Sequence, residues 1–214
     1  MSRQAMPRHH TRTTYARLIG EIAIEWNHLE RQMRTIGFGY LRGDPEVGTY
    51  VVNSMGNVSI TDFVAYLCER FESEQSVKDS VMYLINMFHI LRENRNILEH
   101  AMPEIDHYFQ RYKGKIFKPD KRGLLKPFVA PIKELKDTLA SLEQARGYGR
   151  AVSLAVYRYE FDHTERVNKE PTMREAIVHV LASLERPPLP RKLSPPPPEG
   201  VPPSAQRRPQ PSRG

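Results

Sequence analysis

Cysteine is nearly absent from this chain. Cys68 stands alone among 214 residues, so no disulfide can close within it, which favours a reducing compartment over secretion. Cys68 itself is expected as a small buried apolar residue. Long apolar runs are missing too. The best, "VMYLINMFHIL", is interrupted by Asn86 and His89 and falls short of the roughly 18 residues that would span a membrane. The opening "MSRQAMPRHHTRTT" has arginines and no acids but no signal-peptide apolar region, leaving a transit peptide as the lesser expectation. A soluble, cytoplasmic protein follows as the expectation. Also missing are a phosphate-binding glycine loop after a strand, a Ser-His-Asp order and a Cys-His zinc spacing; the glycines of "TIGFGYLRG" follow no strand pattern.

The net charge of +7 suggests an anionic partner until it is located. Residues 1–13 carry Arg3, Arg8 and Arg12 without an acid, and residues 187–214 carry five basic residues against Glu199. Those two tails hold the whole excess, and residues 14–186 are balanced, so net basicity says nothing about the folded part. The segment 187–214 also contains 11 of the 18 prolines and few large apolar residues. It is expected to be a disordered, polyproline II tail, solvated rather than a ligand for SH3-like domains. The expected organisation is therefore a basic N-terminal tail over 1–13, a helical domain over 14–186 and a Pro-rich tail over 187–214.

Within the domain the apolar period is helical. Helix 1 is predicted over about 14–41, with Leu18, Ile22, Leu29, Met33 and Ile36 on one stripe and Trp26 beside it. After the break at "LRGDPEVG", residues 45–57 are ambiguous. A second helix over about 60–74 is announced by the Ser59 to Asp62 capping pattern, and a third follows Ser76 to Asp79. The third carries Val77, Val81, Leu84, Phe88, Leu91, position 95 and Leu98 at unbroken four-three spacing and ends before Pro103. "HYFQRYKGKIFKP" alternates around a Lys-Gly pair and predicts a β-hairpin. A fourth helix over about 131–161, with a break foreseen at "RGYGR", and a shorter one over about 172–185 complete the chain. The sum is an all-α, four-helix bundle with a hairpin inserted after the third helix.

The end of the third helix, "RENRNILEH", puts an arginine where the seam calls for a leucine. Arginine five residues before histidine is itself cheap. Three pairs occur, against about 0.8 by chance, so spacing alone decides nothing. Position decides more: of the three arginines only Arg95 occupies a seam position. A buried guanidinium needs a carboxylate or an anion-admitting groove. Asn96 and His100, four apart, share a face beside it. An arginine, an amide and an imidazole meeting in one cleft suit a phosphate, with fork donors for its oxygens and a proton carrier near neutral pH.

At these residues the sequence resembles the HEPN superfamily, whose mark is an arginine, a polar residue and a histidine near the end of the third helix of a four-helix bundle, here Arg95-Asn96-Ile97-Leu98-Glu99-His100. The resemblance covers roughly residues 14–160, and "IAIEWNHLE" in helix 1 is loosely similar as well. It implies a metal-independent endoribonuclease without cofactor, working as a homodimer, in a toxin or defence setting with a protein antitoxin or scaffold partner. By the same resemblance His100 would act as general base or acid on the ribose 2′-hydroxyl, Arg95 would hold the phosphate and Asn96 would orient them. Non-catalytic HEPN-like modules also exist. A purely structural alternative pairs Arg95 with Glu25, which lies between Ile22 and Leu29 in helix 1, as an internal ion pair that fixes helix register and is no site; the two readings are compatible, with Glu25 orienting Arg95 as a supporting residue.

Two further constellations bear on partners. Residues 111–126 hold Arg111, Lys113, Lys115, Lys118, Lys121, Arg122 and Lys126 against Asp120, with Tyr108, Tyr112 and Phe117 nearby. Such a hairpin could steer and stack RNA; the alternative is a solvated hairpin whose aromatics pack down and whose lysines protect an edge. Glu-x-x-His occurs at Glu25-His28, Glu104-His107 and Glu160-His163, a pattern that holds di-iron centres in four-helix bundles. Only Glu25 faces a predicted core, so the di-metal alternative ranks below RNA cleavage.

Overall fold

Eight aromatic or aliphatic side chains spaced three or four apart, from Tyr15 to Tyr40, turn one face of the first helix into an unbroken buried stripe. That periodicity makes α1 (Arg12–Tyr40) the axis against which α2 (Pro45–Ser54), α3 (Asn57–Phe71), α4 (Gln75–Glu99) and α5 (Ile132–Thr164) pack. A last helix, α6 (Thr172–Ser183), rests on α4 and α5. The computed structural model describes residues 12–41, 45–106, 108, 111–164 and 172–196, with the backbone alone at 157–164, 172–175 and 177. Trp26, expected beside the stripe, lies inside it, fully buried with its ring 4.6 Å from that of Phe88 on α4. Each such large apolar side chain contributes about 1.5–3 kcal/mol on burial.

Several expectations need correction. The ambiguous segment 45–57 contains a helix, so the predicted third helix is α4. Neither capping pattern operates: α3 starts after Gly56 and α4 after Glu74, without a side-chain cap bond, and Ser59 and Ser76 fall inside the first turns. The α3–α4 corner is held instead by Glu72. This buried carboxylate accepts from the backbone N–H of Glu74 at 3.0 Å and from Tyr40 Oη at 3.3 Å, and burial drives the Tyr40 phenol well above its ordinary range. Nor does α5 break at "RGYGR". A Cβ on Gly149 would sit 2.5 Å from Gln32 Oε1 and 3.4 Å from Leu84, so glycine there serves a close approach of α5 to α1 and α4 rather than a kink.

The all-α expectation is corrected by a three-stranded antiparallel sheet in the order β1 (Met102–Asp106), β2 (Arg111–Pro119), β3 (Leu125–Val129). The Lys113-Gly114 pair, expected as the hairpin turn, lies within β2. Pairing slips there, with Pro103 opposite Ile116 and Ile105 opposite Tyr112, and Gly114 takes φ 77°, a bulge conformation that favours glycine. The β2–β3 turn is built by Asp120, whose carboxylate accepts from the backbone N–H of Arg122 at 2.8 Å and Leu124 at 3.0 Å. Those bonds, Arg122 first, hold its pKa below the ordinary value.

The Pro-rich segment begins inside the fold rather than as a free tail. Residues 187–196 have no regular secondary structure, yet Leu193 is buried in the core and Asn94 on α4 bonds the strap's backbone. Residues 1–11 and 197–214, the greater part of both expected tails, lie outside the described residues.

Candidate functional site

The last two turns of α4 carry the predicted residues, but its seam runs one residue earlier than expected. Asn94 is 1% exposed and Arg95 stands beside it at the helix surface with 26% of its side chain accessible. The interval from Leu91 to Leu98 is seven residues, and either position 94 or 95 can bridge it on a 3.6-residue helix. Packing selected the smaller neutral amide, which avoids burying a charge.

Arg95 is nonetheless half enclosed and already engaged. Its Nη2 lies 2.6 Å from Glu99 Oε2, and its Nη1 donates to Asn96 Oδ1 at 3.2 Å. Its Nε is buried with no acceptor among the described residues, as is Nη1 of Arg92 one turn earlier. Two buried guanidinium donors thus lie three residues apart, on one face of α4. His100 is exposed at the helix C-cap, with φ −102° and ψ 8°, where the chain leaves α4 for β1. Arg95, Asn96 and His100 therefore share one helix end, and Arg95 and Asn96 are directly bonded. Glu99, which sequence reasoning passed over, is part of the same cluster; its i,i+4 spacing from Arg95 was the available signal. Farther along the face is His89, whose pKa is lowered, chiefly by burial and then by the charge of Arg92.

Glu25 is elsewhere. It faces Arg146 of α5, Oε2 to Nε 3.1 Å. The contact is an ion pair without hydrogen-bond alignment, since the same oxygen has no hydrogen-bond partner. The alternative that paired Arg95 with Glu25 is thereby corrected. His28 is exposed, His107 lies outside the described residues, and of Glu160 and His163 only the backbone is described. Among the described residues no group of three His, Cys, Asp or Glu side chains gathers to hold a metal.

The basic segment divides between the sheet and its turn. Lys113, Lys115, Lys121, Arg122 and Lys126 are exposed, while Arg111 and Lys118 are partly covered. Lys113 pairs with Glu104 at 3.3 Å and Lys126 with Asp120 at 3.6 Å. Lys118 and Lys126 face each other across β2 and β3, a like-charge pair that is unfavourable without an anion nearby. The aromatics separate. Tyr112 is buried, its ring tilted against that of Tyr15 at 4.6 Å and its hydroxyl donating to Ala130 O, whereas Tyr108 is 95% exposed and Phe117 partly so. Packing therefore claims Tyr112 and leaves Tyr108 at the surface.

A separate open cleft of about 670 Å³ lies between α1 and α2, lined by Asn27, Arg31, Arg34, Thr35 and Asn53 among others, and includes none of Arg95, Asn96 or His100. Arg34 there is held by Glu30 at 2.7 Å and by the Met55 carbonyl at 3.2 Å. Among the described residues no helix is long and apolar enough to cross a membrane. Comparison of the chain with protein-family models, curated proteins and solved structures finds no match.

Proposed function

We propose that this chain is a metal-independent endoribonuclease of the HEPN type, cytoplasmic and dimeric, with Arg95, Asn96 and His100 as its site. The observation that supports the proposal is that Arg95, partly accessible and bonded to Asn96, and the exposed His100 occupy the same end of α4. A guanidinium, an amide and an imidazole at one helix end are a set suited to a phosphodiester. In the proposed reaction His100 takes the ribose 2′-hydroxyl proton, the 2′-oxygen attacks phosphorus and the 5′-oxygen leaves, giving a 2′,3′-cyclic phosphate. Arg95 neutralises the developing charge, displacing Glu99 from its fork, and the Asn96 amide holds the guanidinium by its existing bond. Lys115, Lys121 and Arg122, with Tyr108, supply the electrostatic and stacking surface immediately after the site. A toxin or defence role with an antitoxin partner is the biological setting that goes with this chemistry.

The test is cleavage of total RNA and tRNA in EDTA by the purified chain beside its His100→Ala variant. Cyclic-phosphate ends that the variant fails to make are the expected result; no cleavage by folded wild type would overturn the proposal. One observation favours a second reading, a non-catalytic helical interaction module. The Arg95 fork is occupied within its own helix, while Val47, Tyr50, Val58 and Tyr66 present more than half their surface on α2 and α3, as a partner-binding face would.

A further inference from the structure

Residues 185–196 form neither helix nor strand, yet they are held at closely spaced points along α4 and α5. The Arg186 guanidinium lies 5.3 Å over the Tyr83 ring, and Tyr83 Oη donates to the Pro187 carbonyl at 2.5 Å. Pro190 is buried. Asn94 then reads the backbone with both ends of its amide: Nδ2 donates to Arg191 O at 2.8 Å, and Oδ1 accepts from Leu193 N at 2.9 Å. Leu193 enters the core at 8% exposure. On either side Lys192 meets Glu93 of α4 at 2.9 Å and Arg191 meets Glu134 of α5 at 3.3 Å.

Each part has a distinct recognition role. A buried primary amide is costly unless both its polar atoms are paired, and here both partners are backbone groups of a segment without regular secondary structure. Asn94 is therefore placed to bind an extended peptide, whatever its side chains. Selectivity comes from the apolar seat for Leu193 and the acidic side chains that orient two adjacent basic residues. The prolines at 187, 188 and 190 bias the segment to an extended form before it docks, which lowers the ordering cost as in other proline-rich ligands.

We propose that this face of α4 and α5 is a peptide-recognition groove for an extended Pro-Pro-Leu-Pro-Arg-Lys-Leu segment, occupied in cis by residues 187–193 of the same chain. A short connection from α6 makes the docked segment its own highest-concentration ligand. The groove takes peptides of the same chemistry, an extended proline-containing stretch with two basic residues before a leucine, when the cis segment leaves. It stands apart from the ribonuclease proposal and does not depend on it.

The test uses the full chain carrying Leu193→Pro, which removes both the apolar anchor and the N–H donated to Asn94, together with a fluorescent synthetic peptide of residues 185–196. Saturable binding is expected to this variant and not to wild type at the same concentrations. Binding should be about tenfold weaker or more in the Asn94→Ala, Leu193→Pro double variant, which lacks the amide. Equal binding by the single and double variants, or none by a folded single variant, overturns the proposal. Hydrogen exchange of the unmutated chain provides a second measurement that needs no variant to fold. The Leu193 amide should be protected yet open at lower denaturant than the amides in the middle of α4. An unprotected Leu193 amide, or one released only with global unfolding, overturns the assignment of a separable ligand, and protection that declines on dilution overturns cis occupancy in favour of a second copy.

Discussion

Asn94 and Arg95 are consecutive residues, about 100° apart around one helix, and they show two opposite ways of handling a polar group. The Asn94 amide is buried and fully bonded by the strap. The Arg95 guanidinium is half covered, bonded on two nitrogens and left with a buried donor on the third. A satisfied buried amide stabilises and orders what it touches. The unmet Arg95 donor costs about 1–3 kcal/mol, and the accessible part of the side chain is the part a ligand can reach. One face thus holds the chain's own backbone, and the other is the one proposed to take an anion.

The contrast can be broken most sharply at His100. On the anion side, His100→Ala should lower RNA cleavage by about 10²–10⁴-fold while leaving the thermal midpoint nearly unchanged, since the side chain is exposed; equal loss of cleavage in Asn94→Ala would erase the division between the faces. The reverse holds for stability. Asn94→Ala orphans the Arg191 carbonyl and the Leu193 N–H and should cost about 1–3 kcal/mol, seen by circular dichroism as a thermal midpoint several degrees lower. Glu99→Gln sharpens the anion side: it frees the Arg95 fork, so a labelled RNA should bind more tightly by fluorescence anisotropy, with about 1 kcal/mol or less change in stability, as for an i,i+4 ion pair within one helix.

His89 extends the test to pH. Burial, aided by the Arg92 charge, lowers its folded pKa from 6.5, so the unfolded chain takes up the proton first. Stability is then complete above that value and declines as pH falls through and below it. Urea midpoints at pH 7.5 and 5.5 should show the decline, and His89→Gln should reduce it. The smallest effect is expected on α5. A Cβ at Gly147 would meet nothing within 4 Å, so Gly147→Ala should add about 0.5–1 kcal/mol through helix propensity and leave both faces as they were, measured as a raised urea midpoint with unchanged peptide and RNA binding.

The long helices were legible because each carries a buried stripe of sustained period: Tyr15 to Tyr40 in α1, Val77 to Leu98 in α4. By contrast α2 has only Gly48 and Val52 buried, too little pattern to separate helix from loop. Capping motifs misled because the helices start earlier, after Gly56 and Glu74, which puts Ser59 and Ser76 inside the first turns. At Lys113-Gly114 the positive φ was a genuine glycine signal, but a bulge and a turn demand the same conformation, and local sequence cannot tell them apart. Residues 95–100 do lie at the end of one helix, with Glu99 among them overlooked and the seam displaced by one residue.

Composition and periodicity by themselves determined that the chain is mostly helical, that its charge excess sits in the terminal segments, and that the end of α4 gathers an arginine, an amide and a histidine. These follow from interactions between residues close in sequence. Which of Asn94 and Arg95 is buried, where Glu25 finds its cation, and whether a proline-rich segment is solvated or seated were decided only by the tertiary structure. Each depends on a partner far along the chain: α5 for Glu25, the strap for Asn94. A hydrogen bond spanning 97 residues leaves no trace in the local pattern of either end.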